Sequence, residues 1–356
     1  MRAAENGGSG RRVLTLESAA AVLTLDLDGG ALGDFHLKST GINPFNWGTP
    51  GAGDTRVRGF GHFLCLDRWG PASAAESANG MPYHGEASNV RWQLDATAHA
   101  DSDTQAGIMS ATLPMAGLHI VRKVQLAQSG TIALVRETVS NQNKLGRVYN
   151  WVQHPTVGPP FLDAHTVVDC NGRRGFAQGN PMPTPEEPSF YWPQALSHEG
   201  ASVNLRFLQA DPNPNVVSYA IDEDQGWVTA ASPTTGLLVG YVWSTRDYPW
   251  VSLWRDVRDG KPSARGLEFG TTGLHQPFPI LVKKGSIFGR PVLEHLDAGE
   301  KATRSYAVFL SPIPKDYAGV ETLRLDEGKL TIQERGRGED RKIVIQAGPG
   351  FGFSIR

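Results

Sequence analysis

The sequence has few cysteines and no long apolar run. Its two cysteines, Cys65 and Cys170, lie in unrelated contexts without metal-ligand spacing. This argues against a disulfide framework and fits a reducing compartment. No stretch of about 18 consecutive apolar residues occurs, so the sequence predicts no membrane-spanning helix. The N-terminal residues show no basic segment followed by an apolar run and a cleavage site, so we expect no signal peptide and a cytoplasmic protein.

The sequence also lacks an excess of charge of either sign. It contains 34 Lys and Arg residues against 36 Asp and Glu residues, a formal net charge of -2. This balance argues against a nucleic-acid partner and gives no reason to expect an anionic membrane surface. It does not exclude a local anion site.

Helical spacing of apolar residues is missing as well, and alternation with a period of two dominates. Turn residues are frequent, with 41 Gly and 24 Pro in 356 residues. Many short strands separated by turn signals predict an all-β fold, a large antiparallel β-sandwich or barrel. Beyond two N-terminal strands, the pattern predicts a hairpin of 118–126 with 132–139 and further strands at 203–208, 227–231, 237–242, 250–254, 304–310, 330–333 and 342–345.

No composition break resembles a linker between domains. Residues 1–12 are polar and glycine-rich and are expected to form a disordered lead-in. Residues 13–356 are expected to form a single β domain, with the proline-rich segment 180–193 as a long surface loop.

A histidine between a glutamine and a proline, in Gln153-His154-Pro155, is the first candidate for chemistry. Pro155 keeps His154 extended, so alternation puts His154 and Val152 on one face and Trp151 with Gln153 on the other. Histidine exchanges a proton near neutral pH more readily than other side chains. A core histidine bonded to the backbone is the alternative.

A carboxylate in an apolar strand and a histidine in a tight turn are the next candidates. Glu268 stands in Gly-Leu-Glu-Phe-Gly, where burial would raise its pKa and make it a stronger base. An ion pair of Glu268 with Arg265 or a neighbouring arginine is the alternative. His84 lies between Tyr83 and Gly85 in a shaped turn of the kind that holds binding residues.

Tryptophans at alternate positions form a third cluster. Trp250 and Trp254 share a strand face with Ser252, and acidic and basic side chains follow. Flat indole rings beside polar side chains suit a sugar ring, whose C–H face stacks on aromatics. A tryptophan-rich core is the alternative for each ring.

Three ordered blocks resemble the galactose-mutarotase-like superfamily, the aldose 1-epimerases. They are Pro82-Tyr83-His84-Gly85 with Trp92 downstream, Gln153-His154-Pro155, and Gly266-Leu267-Glu268-Phe269; Leu66-Asp67-Arg68-Trp69-Gly70-Pro71 and the hairpin ending at Asn141 also fit. The resemblance spans roughly residues 13–311 in order and spacing. Glu86 stands where the family has glycine, and Thr156-Val157-Gly158 follows the histidine-proline pair instead of the usual Tyr-Phe-Asn. The sequence is therefore a divergent member whose sugar need not be galactose or glucose.

The resemblance implies a β-supersandwich that interconverts α and β anomers of a free monosaccharide, an isomerase reaction that needs no cofactor and no metal. Glu268 would be the general base, His154 the general acid, and His84 a group that binds hydroxyls and stabilises charge. Arg68 would anchor a sugar hydroxyl, and we expect Trp254, Asp256, Gln153 and Glu86 to contact the sugar, with Asp247 as an alternative aspartate. The expected partner is a small sugar, bound by a monomer or homodimer.

Two other functions fit the sequence. One is a non-catalytic sugar-binding member of the same superfamily. The other is a cupin-type metal enzyme that would use His84, Glu86 and His62, although no His-x-His pair occurs. If the sugar is phosphorylated, Arg173-Arg174 is the basic pair that would bind the phosphate.

Overall fold

A computed structural model describes residues 2–5, 10–99, 104–127 and 130–347. Strands make up about half of it. The first thirteen are β1 (Arg2–Glu5), β2 (Arg12–Glu17), β3 (Ala21–Asp26), β4 (Leu32–Leu37), β5 (His62–Asp67), β6 (Gln93–His99), β7 (Thr104–Leu113), β8 (Leu118–Ala127), β9 (Ile132–Asn141), β10 (Arg147–Val157), β11 (Val167–Cys170), β12 (Arg174–Ala177) and β13 (Phe190–Tyr191).

The remaining strands are β14 (Gln194–Leu196), β15 (Ser202–Asn204), β16 (Val216–Ala220), β17 (Gln225–Ser232), β18 (Leu237–Ser244), β19 (Trp250–Arg258), β20 (Lys261–Gly270), β21 (Ser286–Ile287), β22 (Arg290–Pro291), β23 (Glu294–Leu296), β24 (Lys301–Pro312), β25 (Val320–Asp326), β26 (Lys329–Glu334) and β27 (Lys342–Gln346). The described residues also form two short helices, α1 (Ala74–Ala78) and α2 (Phe278–Lys284), and a 3₁₀ turn at Glu339–Arg341. Among them no helix is long and apolar enough to cross a bilayer.

Two large antiparallel sheets carry the architecture. The twelve-stranded sheet has the order β1-β2-β3-β4-β5-β10-β20-β19-β16-β12-β13, with β23 paired to β10. The eight-stranded sheet has the order β11-β17-β18-β24-β9-β8-β7-β6. One large cluster of buried apolar side chains contains residues of both sheets. The expected all-β sandwich is confirmed.

Most of the strands that alternation predicts are present in the structure, because every second side chain of such a strand faces the core. β8 alternates buried and half-buried positions along nearly its whole length and pairs with β9, so the expected hairpin is present. The segment 203–208 is an exception, since its strand covers only Ser202–Asn204. The segment 180–193 likewise contains a strand, β13, that pairs with β12.

Strand β10 runs past the proline that follows His154. Pro155 lies opposite His62 of β5, and the strand ends only at Val157. Proline lacks the N–H that a ladder needs. The ladder between β10 and β20 is interrupted at His154 and Pro155 and resumes in the same register at Thr156, so the sheet tolerates the proline.

The N-terminal residues differ from the expected disordered lead-in where the structure describes them. β1 pairs with β2, which already begins at Arg12. Arg11 is buried, and its Nη2 lies 2.7 Å from Asp26 Oδ2. A buried ion pair of this kind holds the chain in place. Residues 1 and 6–9 lie outside the described residues.

A third sheet of three strands, β25-β26-β27, follows the sandwich. Its apolar side chains, including Leu323, Leu330 and Ile332, join Trp227, Leu238 and other side chains of the eight-stranded sheet in a separate buried cluster. This cluster and the large sandwich core thus lie on opposite faces of the eight-stranded sheet, as the alternation of its strands requires.

Candidate active site

The pairing of four neighbouring strands lines up the candidate residues in one row. On β5 and β10, Phe63 lies opposite His154. On β20 and β19, Glu268 lies opposite Ser252. The register between β10 and β20 is the same on both sides of the proline, which puts His154 opposite Glu268. The two titratable groups therefore leave the same face of the sheet from adjacent strands.

Glu268 is a buried carboxylate that has no guanidinium or ammonium partner among the residues that the structure describes. Its side chain is 2 % exposed, and its Oε2 accepts a hydrogen bond of 2.5 Å from Trp69 Nε1. Burial raises the pKa of Glu268 to about 8, although the bond from Trp69 acts in the opposite direction. Gly266 makes room for the carboxylate, since a Cβ there would lie 2.8 Å from Glu268 Oε1. The expected alternative, an ion pair with Arg265, is absent among the described ion pairs of Glu268.

His154 lies beside this carboxylate. Its Nε2 is 3.4 Å from Glu268 Oε1, and its Nδ1 is 3.0 Å from Thr156 Oγ1. The ring stacks on Phe63 with 4.2 Å between centroids. Burial lowers the pKa of His154 to about 3, so the imidazole is neutral near pH 7. Together the pair holds one proton, and burial favours its location on Glu268.

His84 faces His154 from a strained turn. Its φ of 66° lies in the left-handed region, which L-residues seldom adopt. The N–H of Gly70 donates to His84 Nδ1 over 3.0 Å, and the ring centroids of His84 and His154 are 5.2 Å apart. Burial lowers the pKa of His84 well below its usual value. Because Nδ1 accepts a bond, the neutral ring carries its proton on Nε2.

These side chains line a cavity of about 380 Å³. Of the expected site residues, His84, His154, Trp254 and Glu268 lie in its wall. The full lining is Trp47, Phe63, Trp69, Tyr83, His84, His154, Asn215, Val216, Trp254, Glu268 and His275. The cavity is therefore mainly aromatic, with three imidazoles, one carboxylate and one amide, and this lining contains no lysine or arginine.

A tyrosine–histidine pair in the cavity was not anticipated. Tyr83 Oη lies 3.0 Å from His275 Nε2, and the backbone N–H of His275 donates to Gln178 Oε1. The ring of His275 meets Trp69 edge-on at 4.7 Å between centroids, and burial lowers its pKa to about 4. Tyr83 could have been found from its place beside His84. The sequence around His275 carries no comparable signal.

Arg68 is not among the residues that line the cavity. Its guanidinium is buried between Asp67 and Glu76, with Nη2 2.7 Å from Asp67 Oδ2 and 2.9 Å from Glu76 Oε1. The carboxylate of Glu76 also caps α1 through Ser73. The guanidinium of Arg68 is thus occupied by Asp67 and Glu76. The structure does not support the expected role of Arg68 as a sugar anchor.

Gln153 points into the core. Its Nε2 donates to Glu137 Oε2 over 2.6 Å, and its Oε1 lies 3.2 Å from His62 Nε2. The side chain is fully buried. Because Gln153 is one residue from His154, alternation turns it to the opposite face of the strand. Its expected contact with the sugar is therefore not supported.

Glu86 and Asp256 are also absent from the cavity lining. Glu86 is buried and accepts backbone N–H bonds from Met115 and Ala116. Asp256 is half-buried, with its Oδ2 3.0 Å from Arg258 Nε. Each carboxylate satisfies a local donor instead of facing the cavity.

The other charged candidates lie elsewhere. Asp247 has its backbone carbonyl bonded to Arg304. Arg173 is exposed and paired with Asp222, while Arg174 is exposed and bonded to Ser189 Oγ. None of the three candidates lines the cavity.

The residues required for a cupin-type centre do not meet. His62 is bonded to Gln153 and Tyr241 in the core, whereas Glu86 caps a turn and His84 lines the cavity. The described residues contain no group of three or more His, Cys, Asp or Glu side chains arranged to hold a metal ion.

Comparison with solved structures finds the same architecture in other proteins. A galactose mutarotase-like protein from Clostridium acetobutylicum matches with a TM-score of 0.64 and 12% identity, covering 87% of this chain and 98% of its own. A galactose mutarotase related enzyme from Lactobacillus acidophilus gives 0.59 and 12%, covering 85% and 98%. A galactose mutarotase-like protein from Lactobacillus casei gives 0.57 and 14%, covering 84% and 100%.

No protein-family model matches the sequence, and no curated protein matches it either. The similarity therefore lies in the fold and spans most of the chain at low identity, as the divergence of the sequence blocks predicts. The protein has the galactose-mutarotase-like fold.

Proposed function

We propose that the protein is an aldose 1-epimerase that interconverts the α and β anomers of an uncharged monosaccharide. The observation that carries this proposal is the pair formed by Glu268 and His154, with 3.4 Å between Oε1 and Nε2, in a cavity of about 380 Å³. Anomer exchange requires one group that removes a proton and one that supplies a proton. A pair that shares a single proton has both.

Glu268 removes the proton from the anomeric hydroxyl in this mechanism, and His154 donates a proton to the ring oxygen. The C1–O5 bond breaks to give the open-chain aldehyde, the C1–C2 bond rotates, and the reverse transfers close the ring on the other face. Before a sugar binds, burial favours the proton on Glu268. Hydroxyl groups of the sugar donate to the carboxylate and thereby favour its charged form, with the proton on His154.

The remaining cavity residues have roles that follow from their chemistry. His84 carries its proton on Nε2, which suits donation to a hydroxyl or to the developing aldehyde oxygen. Trp47 and Trp254 meet edge-on at 5.5 Å between centroids, and their indoles offer apolar surface to the C–H face of a sugar ring. The amide of Asn215 and the Tyr83–His275 pair supply further hydrogen bonds. Only protons move, so the reaction needs no cofactor.

The composition of the cavity wall favours an uncharged sugar. A phosphate or carboxylate buried in it would need a basic partner. The residues that line the cavity include no lysine or arginine, and Arg68, Arg173 and Arg174 are occupied elsewhere. We therefore expect free aldoses to be accepted over their phosphates and uronic acids.

Polarimetry with freshly dissolved single anomers of a panel of aldoses tests the proposal. We expect background-corrected mutarotation of at least one free aldose to be accelerated by the wild type and not by Glu268→Gln. Glu199→Gln, which changes an exposed carboxylate, is the matched control and should keep the wild-type rate. Sugar binding with equal rates for wild type and Glu268→Gln across the panel would favour a non-catalytic sugar-binding protein instead.

A further inference from the structure

Two buried arginines lie side by side on the strands that carry the cavity wall. Arg255 of β19 and Arg265 of β20 are cross-strand partners, and they are 1 % and 0 % exposed. Trp254 and Glu268 leave the other face of the same strands, toward the cavity. The two guanidinium groups therefore lie on the opposite side of the sheet from the candidate active site.

The protein itself satisfies only part of their hydrogen-bonding capacity. Arg255 donates from Nε and Nη2 to the carbonyl of Pro214, at 3.2 and 2.8 Å, and Arg265 donates from Nη2 to the carbonyl of Leu205. Arg255 Nη1 and the Nε and Nη1 atoms of Arg265 are buried and have no acceptor among the described residues. Nearly all buried polar groups in proteins have a partner.

Among the described residues, no carboxylate forms an ion pair with Arg255 or Arg265. Asp169, whose negative charge acts to raise the pKa of Arg265, already binds Arg206 and Arg335. Asp211 is exposed and is bonded to Asn213.

Other buried arginines of the chain have a carboxylate partner. Arg11 is paired with Asp26, and Arg122 is paired with Glu137. Burial lowers the pKa of Arg255 to about 10 and that of Arg265 to about 9, and the charge of Arg255 adds to the effect on Arg265. Two like charges placed together away from water repel each other unless a negative charge lies between them.

We propose that Arg255 and Arg265 together bind a small inorganic anion of the chloride class. The unpartnered groups are all N–H donors, which match an ion that only accepts hydrogen bonds. Enclosure of both side chains favours a small monovalent ion over phosphate or an organic acid. This anion site is separate from the sugar cavity and does not depend on the proposed function.

The anion stabilises one wall of the cavity through the backbone. The N–H of Arg255 donates to the carbonyl of Asn215 over 2.8 Å, and its guanidinium holds the carbonyl of Pro214. Asn215 and Trp254 both line the cavity. A neutralised arginine pair thus keeps the Pro214–Asn215 segment against β19.

Halide titration and bromide diffraction test the site. The protein is exchanged into sodium gluconate, and chloride or bromide then replaces gluconate at constant ionic strength. We expect a saturable rise in Tm of about 2–4 °C in the wild type. Crystals soaked in bromide should show an anomalous peak within hydrogen-bonding distance of both guanidinium groups.

Matched variants connect the two measurements. Arg265→Met should abolish the dependence of Tm on halide, whereas Arg173→Met, which removes an exposed arginine, should retain it. If Arg265→Met does not fold, the wild-type titration and the bromide peak decide the question by themselves. A Tm that ignores halide, or a bromide peak without stabilisation, would overturn the proposal. Halide dependence that appears only in Asp211→Asn would also overturn it, since Asp211 would then be the natural counterion.

Discussion

Two buried glutamates in this protein each accept a hydrogen bond from a tryptophan indole, but only one of them is paired with an arginine. Glu137 Oε2 accepts a hydrogen bond of 3.0 Å from Trp151 Nε1, and Glu268 Oε2 accepts one of 2.5 Å from Trp69 Nε1. Glu137 also has the guanidinium of Arg122 at 2.6 Å, whereas the only ion-pair partner described for Glu268 is His154 at 3.4 Å. A buried carboxylate with a fixed cation contributes to structure. One without a fixed cation keeps a proton that it can exchange.

The largest expected effect concerns Glu268 and turnover. Glu268→Gln and His154→Ala should each lower mutarotation by about 10²–10⁴-fold, the usual contribution of a positioned acid or base. Glu268→Gln should leave Tm near the wild-type value at pH 7, because a neutral amide replaces a largely protonated carboxyl. Polarimetry and thermal unfolding measure the two quantities. Retained turnover in either variant would remove the assignment.

Glu137 should show the reverse pattern. Glu137→Gln leaves Arg122 buried without its counterion, which should lower the free energy of unfolding by about 3–5 kcal/mol. Urea unfolding measures this loss. The double variant Glu137→Gln/Arg122→Met should recover much of it, since it removes the uncompensated charge. A Glu137→Gln variant as stable as the wild type would show that Glu137 does not stabilise the fold as the counterion of Arg122.

The pH profile of turnover should follow the shared proton of Glu268 and His154. Raising the pH through about 8 removes that proton, so the acid is lost and the rate should fall about tenfold per pH unit. Lowering the pH to about 3 adds a second proton to the pair, so the base is lost. Background-corrected rates between pH 4 and about 10 test the alkaline limb. A rate that still rises above pH 9 would contradict a shared proton.

The smallest expected effects concern Trp69 and Trp151, the indoles that donate to Glu268 and Glu137. Trp69→Phe removes a donor that lowers the pKa of Glu268, so the alkaline limb should move upward by about one pH unit or less. Trp151→Phe should leave that limb unchanged and lower the free energy of unfolding by about 1.5–3 kcal/mol, because it weakens the network around Glu137. If the two variants behaved identically in both measurements, the two tryptophans would not differ in function, and the contrast between Glu268 and Glu137 would be wrong.

The sequence predicted much of the fold because alternation is a local property. The β8–β9 hairpin and the opposite faces of His154 and Gln153 could be read directly from the residues. The pairing of β10 with β20 joins distant segments, and no local pattern reveals it. Only the resemblance to mutarotases connected His154 with Glu268 before the structure did so.

The binding residues were harder to predict for the same reason. Tyr83 and His275 meet across 192 positions of sequence. The resemblance of the segment around Arg68 to mutarotases predicts a sugar anchor, whereas the capping box Ser73-Ala-Ala-Glu76, which is visible in the sequence, holds Glu76 near Arg68. The position of Glu86 near His84 predicts a sugar contact, but a local pattern cannot show that the backbone N–H groups of Met115 and Ala116, in a distant turn, bind it.

The most direct test of the account is the titration of Glu268 itself. Protein labelled with ¹³C at the glutamate carboxyl carbon can be followed by NMR against pH, with the resonance identified by its loss in Glu268→Gln. We predict a midpoint near about 8 for Glu268. A midpoint near the ordinary glutamate value of about 4.3 would show that Glu268 is fully ionised at neutral pH and would contradict the shared proton on which the mechanism depends.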